Sequence, residues 1–346
     1  MKTLFRSMSV TMGILLGILI FLITLSFLSI LLDEYLSFSK EEYSFLEGNK
    51  ASKNKILVLE VNGLILNQSK QGITILNSQI IYASQIEKIL NNVLNNEEIK
   101  AIIISMNSPG GSVSGSNRLY NAIKDFKKNN TIPIYIHTNE LLASGAFWSS
   151  VAANKIYASY GSMIGSIGVK GPSWFVYNKP KSIRGGLLEP TIETEEGIEH
   201  YQPFAGKSKD VFNPFRKPTE EELFKIQNLL DSIYDKFLNI VSHNRKIEKN
   251  YIEEKIGAMI YDSQEAKNLK LIDDVISLKT LKKKLVTELN IKEDYQIIKI
   301  INRYNLINEL SNINYTSQKL IKDDVCNLYN QDFSVISNYN FSACEN

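Results

Sequence analysis

The chain has 346 residues, of which 44% are hydrophobic and 22% charged, a globular composition long enough for one large domain or two ordinary ones. Its 39 basic and 37 acidic side chains are spread along the chain and leave a formal net charge of +2, so it carries no electrostatic footprint for nucleic acid. The two cysteines, Cys326 and Cys344, fall in the last segment, where a disulfide and two separate thiols are equal readings.

No charged residue occurs from Ser7 to Leu32, and Val10–Leu32 (VTMGILLGILIFLITLSFLSILL) is long enough at 1.5 Å per residue to cross a hydrocarbon core of roughly 30 Å. Apolar on every face, it is a transmembrane segment rather than a core helix. A cleaved signal peptide needs a shorter apolar core and an A-x-A site, and no alanine precedes Ala51. Lys2 and Arg6 on one flank and Asp33, Glu34, Glu41 and Glu42 on the other orient residues 1–9 toward the cytoplasm, leaving the ~300 residues after the anchor outside it.

Residues 33–54 are polar and mixed and read as a juxtamembrane linker to a first strand, Ile56–Val61. A helix is expected over Tyr82–Asn96, with Ile86, Ile89, Leu90, Val93 and Leu94 at helical spacing, and then an apolar strand at Ala101–Ile104. The turn NSPGGS (107–112) leads into a helix through Leu119, Ile123 and Phe126, and the strand IPIYIHT leads into ELLASGAFWSSVAANKIYAS. This alternation predicts an α/β domain with a mainly parallel sheet and flanking helices.

Beyond the Gly-rich YGSMIGSIGV lies a less regular region, 170–218, whose acidic run TIETEEGIEH reads as a solvated loop. A long amphipathic helix starts at Thr219, with a capping box formed by Thr219 and Glu222. YDSQEAKNLKLIDDV reads as a short helix running into a strand, followed by a Lys-rich helix near 279–290. From about residue 295 the chain is Asn-, Tyr- and Ile-rich without a clean period.

Two glycine-rich turns follow strands here, and ligands of such sheets collect beyond the carboxyl ends of the strands. In the first, Pro109 stiffens the turn while Gly110 and Gly111 let backbone amides approach a developing negative charge, as an oxyanion hole requires. In the second, Ser144 of ASGAF sits among small residues at a helix start, where its hydroxyl can serve as a nucleophile. Singly, each turn reads more simply as structure: SPGG as a plain turn, Ser144 as a helix N-cap.

A serine nucleophile needs a base, usually histidine, but His137, His200 and His243 all lack a motif context and read as structural or surface residues. A neutral lysine can substitute if burial depresses its pKa from ~10.4. FAGKSKDVFNPF supplies Lys207 and Lys209 in an apolar neighbourhood, and in a strand both would point to one face, so spacing does not choose between them.

Taken in order after one N-terminal membrane segment, NSPGGSV, ASGAFWSSVAANKIYA, GSIGV, GKSKDVFNPF and YDSQEAKNLKLIDD resemble the short form of the bacterial signal peptide peptidase A family, over roughly residues 55–285. The resemblance implies a crotonase-like fold related to that of Clp protease, a Ser-Lys dyad and a dome-like homo-oligomer on the membrane. It implies Ser144 as nucleophile, Lys209 as general base with Lys207 flanking, Gly111 and Gly145 as the oxyanion hole, and Ser166 of GSIGV as the serine that hydrogen-bonds the lysine, much as a triad aspartate orients its histidine. No metal or cofactor enters this chemistry.

The expected layout is a cytoplasmic N-terminus (1–9), an anchor (10–32), a linker (33–54), a protease domain (55–295) and a C-terminal extension (296–346). The expected protein is a single-pass serine endopeptidase of the bacterial cytoplasmic membrane, its catalytic domain on the outer side, acting on remnant signal peptides and membrane-proximal peptides. A dedicated membrane-protein protease of the stomatin-associated or SohB type and an inactive crotonase-like membrane scaffold are the alternatives. Two departures from the family stand out: the 43 positions from Ser166 to Lys209 are longer than expected, and Lys270 replaces the glycine expected before LID.

Overall fold

The computed structural model describes residues 2–37, 42–68, 80–94, 96–172, 203, 205–213, 216–291, 294–301 and 334–336. The chain divides into two compact units, Met1–Glu42 and Tyr43–Asn346. The first is a single helix, α1 (Lys2–Ser37), whose Val10–Ser29 stretch has a mean hydropathy of 2.5 and is by length and composition sufficient to cross a membrane.

The second unit begins with β1 (Glu42–Gly48), β2 (Lys55–Asn62), β3 (Leu64–Leu66) and β4 (Ile80–Tyr82), followed by α2 (Ala83–Val93), β5 (Ile99–Asn107), β6 (Gly110–Ser112) and α3 (Val113–Asn129). Next come β7 (Ile134–Thr138), β8 (Leu141–Ala143), α4 (Gly145–Ser150), β9 (Lys155–Ala158), β10 (Met163–Gly165) and the long α5 (Glu220–Arg245). The short α6 (Lys249–Tyr251) runs into a π-helical turn, Ile252–Ile256. After it come β11 (Ile260–Asp262), α7 (Ser263–Asn268), β12 (Asp274–Val275), α8 (Leu278–Glu288), β13 (Gln296–Ile301) and β14 (Ser334–Ile336).

The main sheet has the order β1-β13-β2-β5-β7-β9-β12, and every pairing from β13 through β12 is parallel. Both of its faces are covered, which is why its central strands read as unbroken apolar runs. Leu57, Leu59, Ile102, Ile104, Ile134 and Ile136 face α2 and α3, whereas Ile56, Val58, Ala101 and Ile103 face Leu281 and Leu285 of α8. Fully burying each such aliphatic side chain contributes about 1.5–3 kcal/mol. The expected mainly parallel α/β domain is what the structure shows.

Two small sheets stand beside the main one, with orders β11-β10-β8 and β14-β6-β3-β4. They hold the glycine-rich turns. The expected helices and strands recur with shifted ends, and α5 starts at Thr219 with the full capping box: Thr219 Oγ1 accepts from the Glu222 N–H (3.2 Å) and Glu222 Oε2 from the Thr219 N–H (2.9 Å).

Two expectations need correction. The 33–54 linker contains β1, an edge strand of the main sheet, with Asn49 N–H bonded to Tyr295 O at 2.7 Å. The run after residue 295 contains β13, which lies between β1 and β2, so the folded domain extends beyond the expected boundary. Residues 206–212, in the stretch expected to be less regular, form turns.

Candidate active site

Three segments converge where short strands end. After β5, Ser108 forms a parallel bridge with Leu142: the Ser108 N–H donates to Leu141 O (2.7 Å) and the Ala143 N–H to Ser108 O (3.2 Å). On its other side, β8 runs parallel to β10 with Ala143 opposite Gly165, so Ser144 and Ser166 leave neighbouring strands at the same level. The Ser144 N–H donates to Gly165 O at 2.8 Å.

Ser144 precedes α4 but does not cap it. Its backbone has φ 54°, and its fully buried Oγ has no hydrogen-bond partner among the described residues. An ordinary N-cap serine takes extended backbone and accepts an amide of the first turn. Ser112 does so at α3, accepting from the Gly115 N–H at 3.1 Å. Left-handed backbone at a non-glycine residue and an unpaired buried hydroxyl both cost stability, and such strain collects at functional sites. Ser166 repeats the φ of 54° and is half-buried, its N–H bonded to Met259 O (2.7 Å).

The SPGG turn is built for close approach. Ser108 Oγ accepts from the Gly110 N–H (3.1 Å), and Gly110 has φ 108°. A Cβ on Gly111 would lie 1.8 Å from Ile65 O, so only glycine fits. β6 is paired on both edges, with β3 at Ile65 and antiparallel with β14, where Val335 stands opposite Gly111. Asn107 received no role from the sequence, yet its Oδ1 accepts from Thr138 Oγ1 and from the Asn139 and Glu140 N–H groups, each at 3.0 Å. It thereby fixes the entry to β8. The signal was an Asn directly before a turn, whose side chain commonly satisfies nearby backbone amides.

The lysine-bearing segment is a knot of turns. The Lys209 N–H donates to Gly206 O (3.2 Å) and the Val211 N–H to Ser208 O (3.2 Å), with Gly206, Ser208 and Phe212 all at positive φ. Lys207 forms an ion pair with Glu221 of α5. Lys209 is exposed, and its Nζ has no partner among the described residues. Among the described residues, the knot meets charged rather than purely apolar surroundings, because it sits against Glu221 and Glu222 at the start of α5.

Within one chain, Ser144 and Lys209 share no hydrogen bond. α5 docks through Phe237 onto Trp148 of α4, ring centroids 4.8 Å apart. The lysine knot is held instead at Glu222, 15 residues back along α5 or roughly 22 Å at 1.5 Å per residue. Gly145 is buried at the first position of α4.

Of the histidines, His137 is fully buried with its Nε2 3.0 Å from Ile276 O, and His243 is exposed near the end of α5. His200, Cys326 and Cys344 lie outside the described residues. Among the described residues, no cluster of three or more His, Cys, Asp or Glu side chains could hold a metal.

The sequence profile described as Peptidase family S49 matches residues 126–184 and 190–292. A protein of Methanocaldococcus jannaschii named for a protease is 30% identical over 272 residues, covering 79% of this chain and 80% of its own. A protein of Enterococcus faecium named for the signal peptide peptidase SppA is 29% identical over 225 residues, 65% of this chain and 61% of its own. Protease 4 of Haemophilus influenzae is 26% identical over 241 residues, 70% of this chain but 36% of its own. The similarity to the Methanocaldococcus protein extends over most of both chains and includes all three site segments, and the chain belongs to peptidase family S49.

Proposed function

We propose that this protein is a membrane-anchored serine peptidase in which Ser144 is the nucleophile and Lys209 the general base. The observation that carries this reading is Ser144 itself, a strained, buried hydroxyl without a partner among the described residues, lying between the SPGG turn and the GSIGV turn. In the reaction, neutral Lys209 takes the Ser144 proton as Oγ attacks a peptide carbonyl, and the Gly111 and Gly145 amides stabilise the oxyanion. Lysine then protonates the leaving amine, water resolves the acyl-enzyme, and Ser166 keeps the amine in line.

Lysine works as a base only when neutral, which requires desolvation. Lys209 is exposed in the single chain, and a homo-oligomer would supply the cover by setting the lysine knot of one copy against Ser144 of another. With α1 as anchor and a cytoplasmic N-terminus, the catalytic unit works at the outer face of the cytoplasmic membrane. Remnant signal peptides are the substrate class that fits this location.

The test is turnover of a fluorogenic apolar peptide by the detergent-solubilised full chain. Ser144→Ala and Lys209→Ala are expected to lose at least about 1000-fold in kcat/KM, Lys207→Ala to stay near wild type, and wild-type activity to rise toward mildly alkaline pH. Near-normal turnover by Lys209→Ala, or a flat or acid-favouring profile, rules out Lys209 as the base. An inactive scaffold would show no turnover in the wild type.

A further inference from the structure

The nearly buried charges beside the lysine knot have no part in the chemistry above. Asp210, which follows Lys209 directly, keeps 9% of its side chain exposed, Glu222 keeps 4%, and both are held by Arg216, itself 30% exposed. Arg216 Nε donates to Asp210 Oδ2 (2.7 Å) and Nη2 to Asp210 Oδ1 (2.8 Å), a two-point fork. Its other edge donates from Nη1 to Glu222 Oε2 (2.9 Å) and from Nη2 to Glu222 Oε1 (2.8 Å), with a further bond from Nη1 to Lys217 O (3.1 Å). One guanidinium therefore joins the lysine knot to the capping box of α5. The same contacts hold the Asp210 and Glu222 carboxyls below their usual range, and Arg216 is the first cause in both.

We propose that Arg216 is the positioning residue of the general base, fixing Lys209 by clamping Asp210 to Glu222; this rests on Lys209 being the base. The knot needs such a clamp because it is not a minimum of its own. Ser208 (φ 61°) and Phe212 (φ 69°) are L-residues in left-handed backbone on either side of Lys209, a state that persists only where surrounding contacts over-determine it. Internally the knot is held by short turn hydrogen bonds and by the Asn213 amide, which donates to Asp210 Oδ2 (3.5 Å). Without the fork, two nearly buried carboxylates lose their shared counter-charge and keep weaker neutral donors, the Asn213 amide for Asp210 and the Thr219 N–H for Glu222, and the backbone of Asp210 and Lys209 shifts to separate them. Lysine at 216 keeps the charge but supplies a point donor in place of a planar fork, so it cannot grip both carboxylates in this geometry.

The experiment compares wild type, Arg216→Lys, Glu222→Gln, Lys209→Ala and the Arg216→Lys/Lys209→Ala double variant in detergent. The readouts are kcat and KM per folded chain, the pH profile and Tm. Arg216→Lys is expected to lose at least about ten-fold in kcat with KM within about two-fold, because the base is displaced while the turns around Ser144 are untouched. The alkaline rise should change shape, and the double variant should be no slower than Lys209→Ala alone. A lower Tm with wild-type kcat and pH profile would make Arg216 a merely structural residue and overturn the proposal.

Should Arg216→Lys not fold, Glu222→Gln decides. It keeps the Asp210 fork but loosens the anchor on α5, so a loss of kcat at constant KM supports the clamp and a wild-type kcat overturns it. If Lys209→Ala turns over normally, the function reading fails and the clamp with it; if Lys209→Ala is dead while folded Arg216→Lys matches wild type, the clamp alone fails.

Discussion

Ser144 and His137 are both fully buried side chains with an unpartnered polar atom, and they differ in what can relieve it. In the proposed mechanism an acyl group on Oγ would relieve Ser144. His137, on β7, gives its Nε2–H to Ile276 O, which fixes the tautomer and leaves Nδ1 as a bare buried acceptor. Protonation would put a second N–H where no acceptor lies, and burial holds the pKa of His137 below its usual 6.5. Below about pH 6.5 the unfolded chain therefore binds a proton that the folded one refuses, so stability falls as pH drops through this window and is flat above it. His137→Gln, which keeps a donor for Ile276 O, is expected to flatten the dependence of Tm on pH between about 6.5 and 5; an unchanged slope would remove His137 from the account. At this scale the sequence told much about Ser144, Gly111 and Ser166, because each sits in a motif of small residues. It could not separate Lys207 from Lys209, since the ion pair that occupies Lys207 comes from Glu221, across a turn the sequence did not reveal. Lys270, where the resemblance led to an expected glycine, takes a conformation that glycine favours: φ is 60°, the Lys270 N–H bonds Lys267 O (2.9 Å), and the Leu271 N–H bonds Ala266 O (2.8 Å), closing α7 as a Schellman motif with a lysine in it.

Elements with a strong period were legible in advance. The apolar faces of α2 and α3 and the capping box of α5 appear where the spacing put them, because burial of a regular stripe is a local property. Sheet membership is not local, and β1 and β13 were missed for that reason. EYSFLEG reads as polar linker and QIIKII merges into a low-complexity tail, yet both join the main sheet once a partner is present. β13 is an internal strand, pairing from Gln296↔Lys55 to Lys299↔Val58, and buries Ile297 and Ile298 on opposite faces. A chain cut after Tyr295 loses those contacts and exposes the edge of β2, whereas a chain cut after Ile301 keeps the main sheet whole. Circular dichroism and thermal melting should show cooperative unfolding for the 301 truncation and its loss, or a fall of at least about 10 °C in Tm, for the 295 truncation. Equal melting of the two would mean that β13 adds nothing to the fold.

For the whole molecule, the proposed dyad raises the question of where Lys209 would meet Ser144. Ser144 is tied by its N–H bond to Gly165 O and by the Trp148 N–H bond to its own carbonyl, and α5 meets α4 at Trp148 and Phe237. The lysine knot is fastened to α5 at Glu222, roughly 22 Å along the helix from Phe237, and Ser144 Oγ has no hydrogen bond to Lys209 within the described chain. The first half of α5 exposes Leu223, Phe224 and Leu229, which gives that end a surface to cover as well as a lysine to deliver. An active site shared between copies makes a specific demand: two dead variants must rescue each other. Mixing Ser144→Ala with Lys209→Ala under conditions that exchange subunits is expected to restore turnover, because some contacts then pair an intact serine from one variant with an intact lysine from the other. Either variant alone stays inactive. If the dyad instead closes within one chain by bending of α5, every site in the mixture lacks one partner and no activity returns. The mixture then separates the two geometries without altering any residue outside the proposed dyad.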